Sequence, residues 1–123
     1  MPRYAVDARK KFDQDRTSAA AEIMIREVYY RAEAGARKAQ LAIRCIRALF
    51  KLTNSTCKKY CLSKDIREEA GIDKYQSLQW GFYVWNDTGC KIVGQDMTLK
   101  QYWIIDEFLN PLKKVLETMN DTN

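Results

Sequence analysis

Seven positive side chains between Ala34 and Tyr60 are the strongest candidate for chemistry in this sequence. This segment of 27 residues contains no acidic side chain. Its cations are Arg37, Lys38, Arg44, Arg47, Lys51, Lys58 and Lys59. A block of like charges either stays solvated or binds a polyanion. Along a helix, the cations from Arg37 to Lys51 span roughly 20 Å, which is comparable to several phosphates of a nucleic-acid backbone.

Four of these cations fall on one side of a predicted helix. Apolar residues recur at three- and four-residue steps along residues 18–52, at Ile25, Val28, Ala32, Ala36, Ala39, Ile43, Ile46 and Phe50. This period predicts one long central helix, and Gly35 in its middle is either tolerated or splits it in two. From residue 36 to 52, apolar side chains cover about two-thirds of the circumference. The remaining arc holds the basic strip: Arg37, Arg44, Arg47 and Lys51.

Aromatic side chains are the second candidate for binding. Leu78, Trp80, Phe82 and Val84 alternate with Gln79, Gly81, Tyr83 and Trp85, and a period of two predicts a strand. On a strand, Tyr83 and Trp85 point away from the face that holds Trp80. Tyr83 and Trp85 are therefore possible contacts that stack on unpaired bases or anchor a protein interface. The alternative is that both pack under a neighbouring element.

The residues needed for catalysis are missing. The chain has no histidine, the commonest general base and metal ligand, and no glycine-rich phosphate loop or nucleophile motif. We expect a non-enzymatic protein with no catalytic residue and no cofactor. Its four cysteines, Cys45, Cys57, Cys61 and Cys90, could bind zinc, form disulfides or stay reduced and partly buried. The spacing of Cys57 and Cys61 is wider than the C-x2-C pair of many zinc sites, so no metal is expected.

The elements predict a helix-rich α+β fold. We expect the long central helix, shorter helices around it and one β-hairpin, Gln79–Trp85 with Cys90–Gly94, and an all-α fold is the alternative if residues 75–85 are helical. Thr98–Gln101 has the spacing of a capping box and predicts the start of the last helical region. Residues 1–16 form an arm or a short helix, residues 17–119 one domain and residues 120–123 a frayed tail.

Residues 62–73, LSKDIREEAGID, resemble the first helix and glycine turn of a helix-turn-helix. Ile66 and Ala70 share a face, Gly71 fits the left-handed position after the helix, and Ile72 folds back onto Ile66. The resemblance implies a recognition helix after the turn. The alternation that begins at Leu78 predicts a strand there instead.

The distribution of charge favours nucleic acid as the partner. The formal net charge is +5, and the cations are concentrated in the first half of the chain. We expect a small nucleic-acid-binding protein in which the basic strip contacts phosphates and Lys38, Lys58 and Lys59 extend the surface. The alternative is an adaptor or inhibitor that binds an acidic surface of a partner protein. With no apolar run that could cross a bilayer and no leader, the expected location is cytoplasmic.

Overall fold

A computed structural model describes residues 19, 21–87 and 91–120. In chain order, the elements are α1 (21–33), α2 (Arg37–Thr56), β1 (Cys61–Leu62), α3 (Ser63–Ala70), α4 (Tyr75–Asn86), β2 (Val93–Asp96), β3 (Gln101–Ile104), a 3-10 turn (Asp106–Phe108) and α5 (Leu109–Asn120). The predicted class, helix-rich α+β, is confirmed. The predicted arm at residues 1–16 and the end of the tail at 121–123 lie outside the described residues, and so does Cys90.

The long helix expected over residues 18–52 is two helices, so the prediction of one continuous element is wrong. Gly35 has a φ of 99°, in the left-handed region that glycine adopts without steric cost, and the Gly35 N–H bonds to the Ala32 carbonyl at 3.0 Å. The Gln40 side chain donates to the same carbonyl at 3.0 Å. A glycine that ends α1, followed by a new helix at Arg37, therefore turns the chain at residues 34–36.

The predicted hairpin at residues 79–94 is wrong, because residues 75–86 form α4. Its buried residues Leu78, Phe82 and Trp85 recur at helical steps and pack on α2. Gly81 allows the two helices to approach closely, since a Cβ there would lie 3.3 Å from the Leu41 carbonyl oxygen. The hydrophobic residues of this segment alternate along the sequence, but one of them, Trp80, faces solvent, so the alternation does not mark the buried face.

The hairpin forms one segment later, from β2 and β3. The two strands pair antiparallel with Val93 opposite Ile104 and Asp96 opposite Gln101. In the turn between them, the Asp96 carboxylate accepts the backbone N–H groups of Thr98 at 2.9 Å and Leu99 at 3.1 Å. The helix start predicted at Thr98–Gln101 is therefore wrong: these residues close a turn and begin a strand.

The sheet has the order β1-β3-β2, with β3 in the centre. Cys61 of β1 pairs with Tyr102 of β3, whose ring packs 4.6 Å from Phe82 of α4. Ile46 and Leu49 of α2 are fully buried in the same core. Among the described residues, no helix is long and apolar enough to cross a membrane.

Candidate nucleic-acid interface

The basic strip of α2 is exposed as predicted, but α3 lies along it and uses part of its charge. The Arg44 guanidinium donates to the carbonyl oxygens of Ala70 and Gly71, each at 2.8 Å. These two carbonyls belong to the end of α3, where the helix dipole places partial negative charge. Arg44 therefore fastens the C-terminus of α3 to α2.

Two further predicted site lysines form ion pairs within the protein. Lys51 lies 2.7 Å from the Glu69 carboxylate of α3. Lys59 lies 3.2 Å from the Asp106 carboxylate in the 3-10 turn. Because each pair neutralises one cation, the predicted track of phosphate contacts along α2 is interrupted at both places.

Arg47 lies at the edge of the basic strip that faces α5. It lines a cleft between α2 and α5 together with Phe50 and Leu116. Burial raises the pKa of the nearby Tyr29 hydroxyl, and the positive charge of Arg47 partly offsets this rise. The four residues of the basic strip are thus exposed on one helix, but α3 covers one edge of the strip and α5 borders the other.

Arg37, Lys38 and Lys58 remain exposed without an ion pair in the part of the chain that is described. Lys58 follows the end of α2, beside Tyr60 and Leu62. Lys38 reaches across to α4 and places its ammonium 5.6 Å from the centre of the Trp80 ring. The structure therefore brings Lys38 to α4, leaves Arg37 exposed at the start of α2 and leaves Lys58 near the sheet.

Of the two predicted aromatic contacts, Tyr83 is exposed and Trp85 is buried, and Trp80 is exposed in place of Trp85. Trp85 is fully buried, and its indole N–H donates to the Ala42 carbonyl at 2.7 Å, so it belongs to the core. Trp80, expected to point inward, is 50% exposed, and Tyr83 is 57% exposed as predicted. Because the segment is a helix with 3.6 residues per turn and not a strand with a period of two, Trp80 lies on the solvent side and Trp85 in the core.

The solvent-facing side of α4 carries a stripe of Gln76, Trp80 and Tyr83, which we call the α4 face. The rings of Trp80 and Tyr83 meet edge to face, with centroids 6.3 Å apart. Lysines border this face on several elements. Lys38 of α2 lies over Trp80, Lys74 immediately precedes α4, and Lys100 of the hairpin turn lies 5.9 Å from the centre of the Tyr75 ring.

A short turn after Gly71 connects α3 to α4. Gly71 has a φ of 69°, and the Ile72 N–H bonds to the Arg67 carbonyl at 2.9 Å, which is the predicted glycine stop. The Arg67 guanidinium donates to the Asp73 carbonyl at 2.8 Å and holds the turn from the inside. Two helices, α3 and α4, are therefore joined by a short turn at 71–74, and the helix that the resemblance of residues 62–73 implied after the turn is present.

The turn between β2 and β3 projects apolar side chains into solvent. Met97 is 52% exposed and Leu99 is 58% exposed. Lys100 has a φ of 53°, so this lysine adopts the left-handed conformation that closes the turn. The turn lies near the start of α4, because the Tyr75 hydroxyl contacts the Met97 sulfur at 4.0 Å.

The described cysteines, Cys45, Cys57 and Cys61, are free thiols. Burial raises the pKa of the Cys45 thiol from 9.0 to about 12, and burial also raises the pKa of Cys61. Thiols with raised pKa values are poor nucleophiles, because the thiolate is the reactive form. Among the described residues, no group of three or more possible ligands could hold a metal ion.

Three comparisons with known proteins add no assignment. No protein-family model, no curated protein and no solved structure matches this chain. The function of this protein is therefore inferred from the geometry of its surface.

Proposed function

We propose that this protein binds duplex DNA and inserts α4 into the major groove. The observation that carries the proposal is the exposed α4 face on the second helix of a helix-turn-helix. In this motif the second helix contacts base edges while the first helix crosses the phosphate backbone. A helix fits the major groove, which displays a distinct pattern of donors and acceptors for each base pair.

The topology around the two helices supports the same function. A helix, a strand, the helix-turn-helix and then a hairpin follow one another, and the last strand is central in the sheet. This order is that of a winged helix-turn-helix, in which the hairpin is the wing. Here the wing turn is residues 97–100, and its exposed Met97 and Leu99 suit a shallow apolar contact in a neighbouring minor groove.

The charges around α4 suit a phosphate backbone. Lys38, Lys74 and Lys100 come from three different elements and border the α4 face, so they could contact phosphates on both sides of one groove. Gln76 lies in the first turn of α4 and has an amide that can bind adenine by two hydrogen bonds. Two acids lie near this face: the Asp96 carboxylate is less available to repel DNA, since it accepts two backbone N–H groups, and Asp87 lies at the C-terminal end of α4, away from Lys74 and Gln76 at its start.

In this proposal the basic strip has a mainly supporting role. Arg44 and Lys51 hold α3 against α2 and thereby fix the angle at which α4 is presented. Arg37 stays a candidate for a phosphate contact beside Lys38. A DNA partner requires an intracellular location, and a cytoplasmic one is part of the proposal.

The test is fluorescence anisotropy with a labelled duplex of mixed sequence at two salt concentrations. We expect Lys74→Glu and Lys100→Glu to weaken binding roughly tenfold each and to reduce the slope against log salt by about one per lysine. Gln76→Ala should change the preference among sequences more than the affinity for mixed DNA. The control is Lys113→Glu on α5, which makes the same charge change away from α4 and the hairpin.

Two results would contradict this assignment. Absence of binding at low salt would exclude nucleic acid as the partner. Equal losses in Lys74→Glu and Lys113→Glu would show that binding depends on net charge and not on the α4 face. Circular dichroism of each variant checks that the fold is intact.

The second candidate function is that of an adaptor which binds an acidic surface of a partner protein through the sheet. The sheet-face patch consists of Lys58, Tyr60, Leu62 and Trp103. Tyr60 packs edge to face on Trp103 at 5.0 Å, and Lys58, which forms no ion pair among the described residues, lies beside Tyr60 and Leu62. Rigid aromatics beside cations are typical of the residues that dominate binding energy at interfaces.

A labelled peptide of alternating Glu and Leu tests this patch. We expect Tyr60→Ala to remove its binding and to leave the affinity for DNA unchanged. Binding that is equal in Tyr60→Ala and in the unchanged protein would exclude the patch as an acidic-partner site.

A further inference from the structure

We propose that the groove between α1, α2 and α4 binds a small organic anion with a planar apolar body. The groove has a volume of about 430 Å³, within the range of small-molecule sites. The groove lies apart from the hairpin and from the sheet-face patch.

The floor and one wall of the groove suit a planar apolar body. Val28 of α1, Ala39 of α2 and Val84 of α4 contribute aliphatic surface from three helices. Ala36 adds room at the start of α2, because its side chain is a single methyl group. Trp80 forms a wall, and the contact of Tyr83 with its ring restricts its orientation. A flat ring system could pack between this wall and the floor.

The position of Lys38 assigns the ligand a negative group. Two cations and two acids line the groove, and the Glu27 carboxylate and Arg31 pair with each other at 2.6 Å, which leaves Lys38 and Asp87. Lys38 forms no ion pair in the described ranges, and its ammonium lies beside the Trp80 ring. Asp87 is the remaining acid. A ring stacked on Trp80 would bring its anionic group to Lys38, where a charge-assisted hydrogen bond can form.

Occupancy of the groove would compete with DNA. Lys38, Trp80 and Tyr83 line the groove and also belong to, or border, the α4 face. A ligand that binds the Lys38 ammonium and covers Trp80 therefore removes one phosphate contact and blocks part of α4, the helix proposed to enter the major groove. This regulatory step rests on the proposed function, whereas the groove itself does not.

The probe is 8-anilinonaphthalene-1-sulfonate, an aromatic sulfonate whose fluorescence rises in apolar sites, and its control is the uncharged N-phenyl-1-naphthylamine. We expect saturable binding of the sulfonate and weaker binding of the uncharged dye. Lys38→Gln should weaken the sulfonate roughly tenfold and leave the uncharged dye unchanged. Ala36→Leu fills the groove at an exposed position and should reduce binding of both dyes. Lys113→Gln is the matched control and should change neither.

The outcomes separate the site from its regulation. Sulfonate binding that is equal in Ala36→Leu and in the unchanged protein would overturn the groove site. Equal affinities for the two dyes would overturn the assignment of an anion. In a mixed experiment we expect the sulfonate to displace labelled duplex from the unchanged protein but not from Ala36→Leu. DNA binding that persists at saturating dye would overturn the competition alone, and absence of DNA binding without dye would overturn the proposed function while the groove site stands.

Discussion

Replacement of Arg44 by leucine should destabilise the protein through the helix that Arg44 holds. The change removes two hydrogen bonds, at 2.8 Å each, from the guanidinium to the carbonyl oxygens of Ala70 and Gly71. Hydrogen bonds to charged groups contribute about 1.5–3 kcal/mol each, and a cation at a helix C-terminus contributes about 0.3–1 kcal/mol. Because Arg44 is exposed and one nitrogen serves both carbonyls, we expect a loss of about 1–2 kcal/mol in the free energy of unfolding.

The assay is thermal denaturation followed by circular dichroism, with Arg37→Leu as the matched control. Arg37 lies seven residues earlier on the same side of α2 and forms no ion pair in the part of the chain that the structure describes. The loss in Arg44→Leu should lower Tm by roughly 3–8 °C, and Arg37→Leu should lower it by less than about 2 °C. Equal stability of the two variants would refute the conclusion that Arg44 fastens α3, and with it the supporting role of the basic strip.

Three further changes test the packing of α4 and the buried thiol. Gly81→Ala would place a methyl group closer to the Cys45 sulfur than their van der Waals radii allow, so we expect a loss of about 1–3 kcal/mol in the free energy of unfolding from thermal denaturation, part of which Cys45→Ala should restore. Trp85→Phe leaves the Ala42 carbonyl without its 2.7 Å donor and should cost about 1–3 kcal/mol, whereas Trp80→Phe on the exposed side should cost less than about 0.5 kcal/mol. Because burial raises the pKa of Cys45 from 9.0 to about 12, the folded state holds this proton more tightly than the unfolded chain does. Its contribution to stability is therefore complete below pH 9 and decreases as the pH rises towards 12, and Cys45→Ala should flatten this decrease in urea titrations at a series of pH values. A slope that Cys45→Ala leaves unchanged would exclude the thiol as its cause.

The sequence correctly predicts local features of this fold that depend on the physical properties of single residues, such as a glycine that ends a helix. Gly71 ends α3 in the left-handed conformation, because glycine has no Cβ to clash there. Gly35 likewise ends α1, one of the two outcomes that its position allowed. The apolar period of residues 37–52 correctly assigns the buried side of α2, including Ala42, Ile46 and Leu49.

The sequence pattern predicts the wrong element where contacts with distant residues decide between a helix and a strand or turn. The segment Leu78–Trp85 alternates as a strand would, yet it forms α4, because α2 offers a close contact at Gly81 and a carbonyl acceptor for Trp85. The spacing at Thr98–Gln101 fits a capping box, yet Asp96 supplies the carboxylate that folds this stretch into a turn. β1 is two residues long, and only its pairing with β3 makes it a strand.

The candidate site likewise has properties that follow from the sequence alone and others that depend on the tertiary structure. Composition and order alone place seven cations in an acid-free segment and no histidine anywhere in the chain, and these facts hold in any fold. Which cations can meet a partner depends on residues distant in the chain: Ala70 and Gly71 accept from Arg44, Glu69 neutralises Lys51, and Asp106 pairs with Lys59. The tertiary structure decided this, because an ion pair or a hydrogen bond acts over a few ångströms of space whatever the separation along the chain. It also turned Trp80 outward beside Lys38, which created the α4 face.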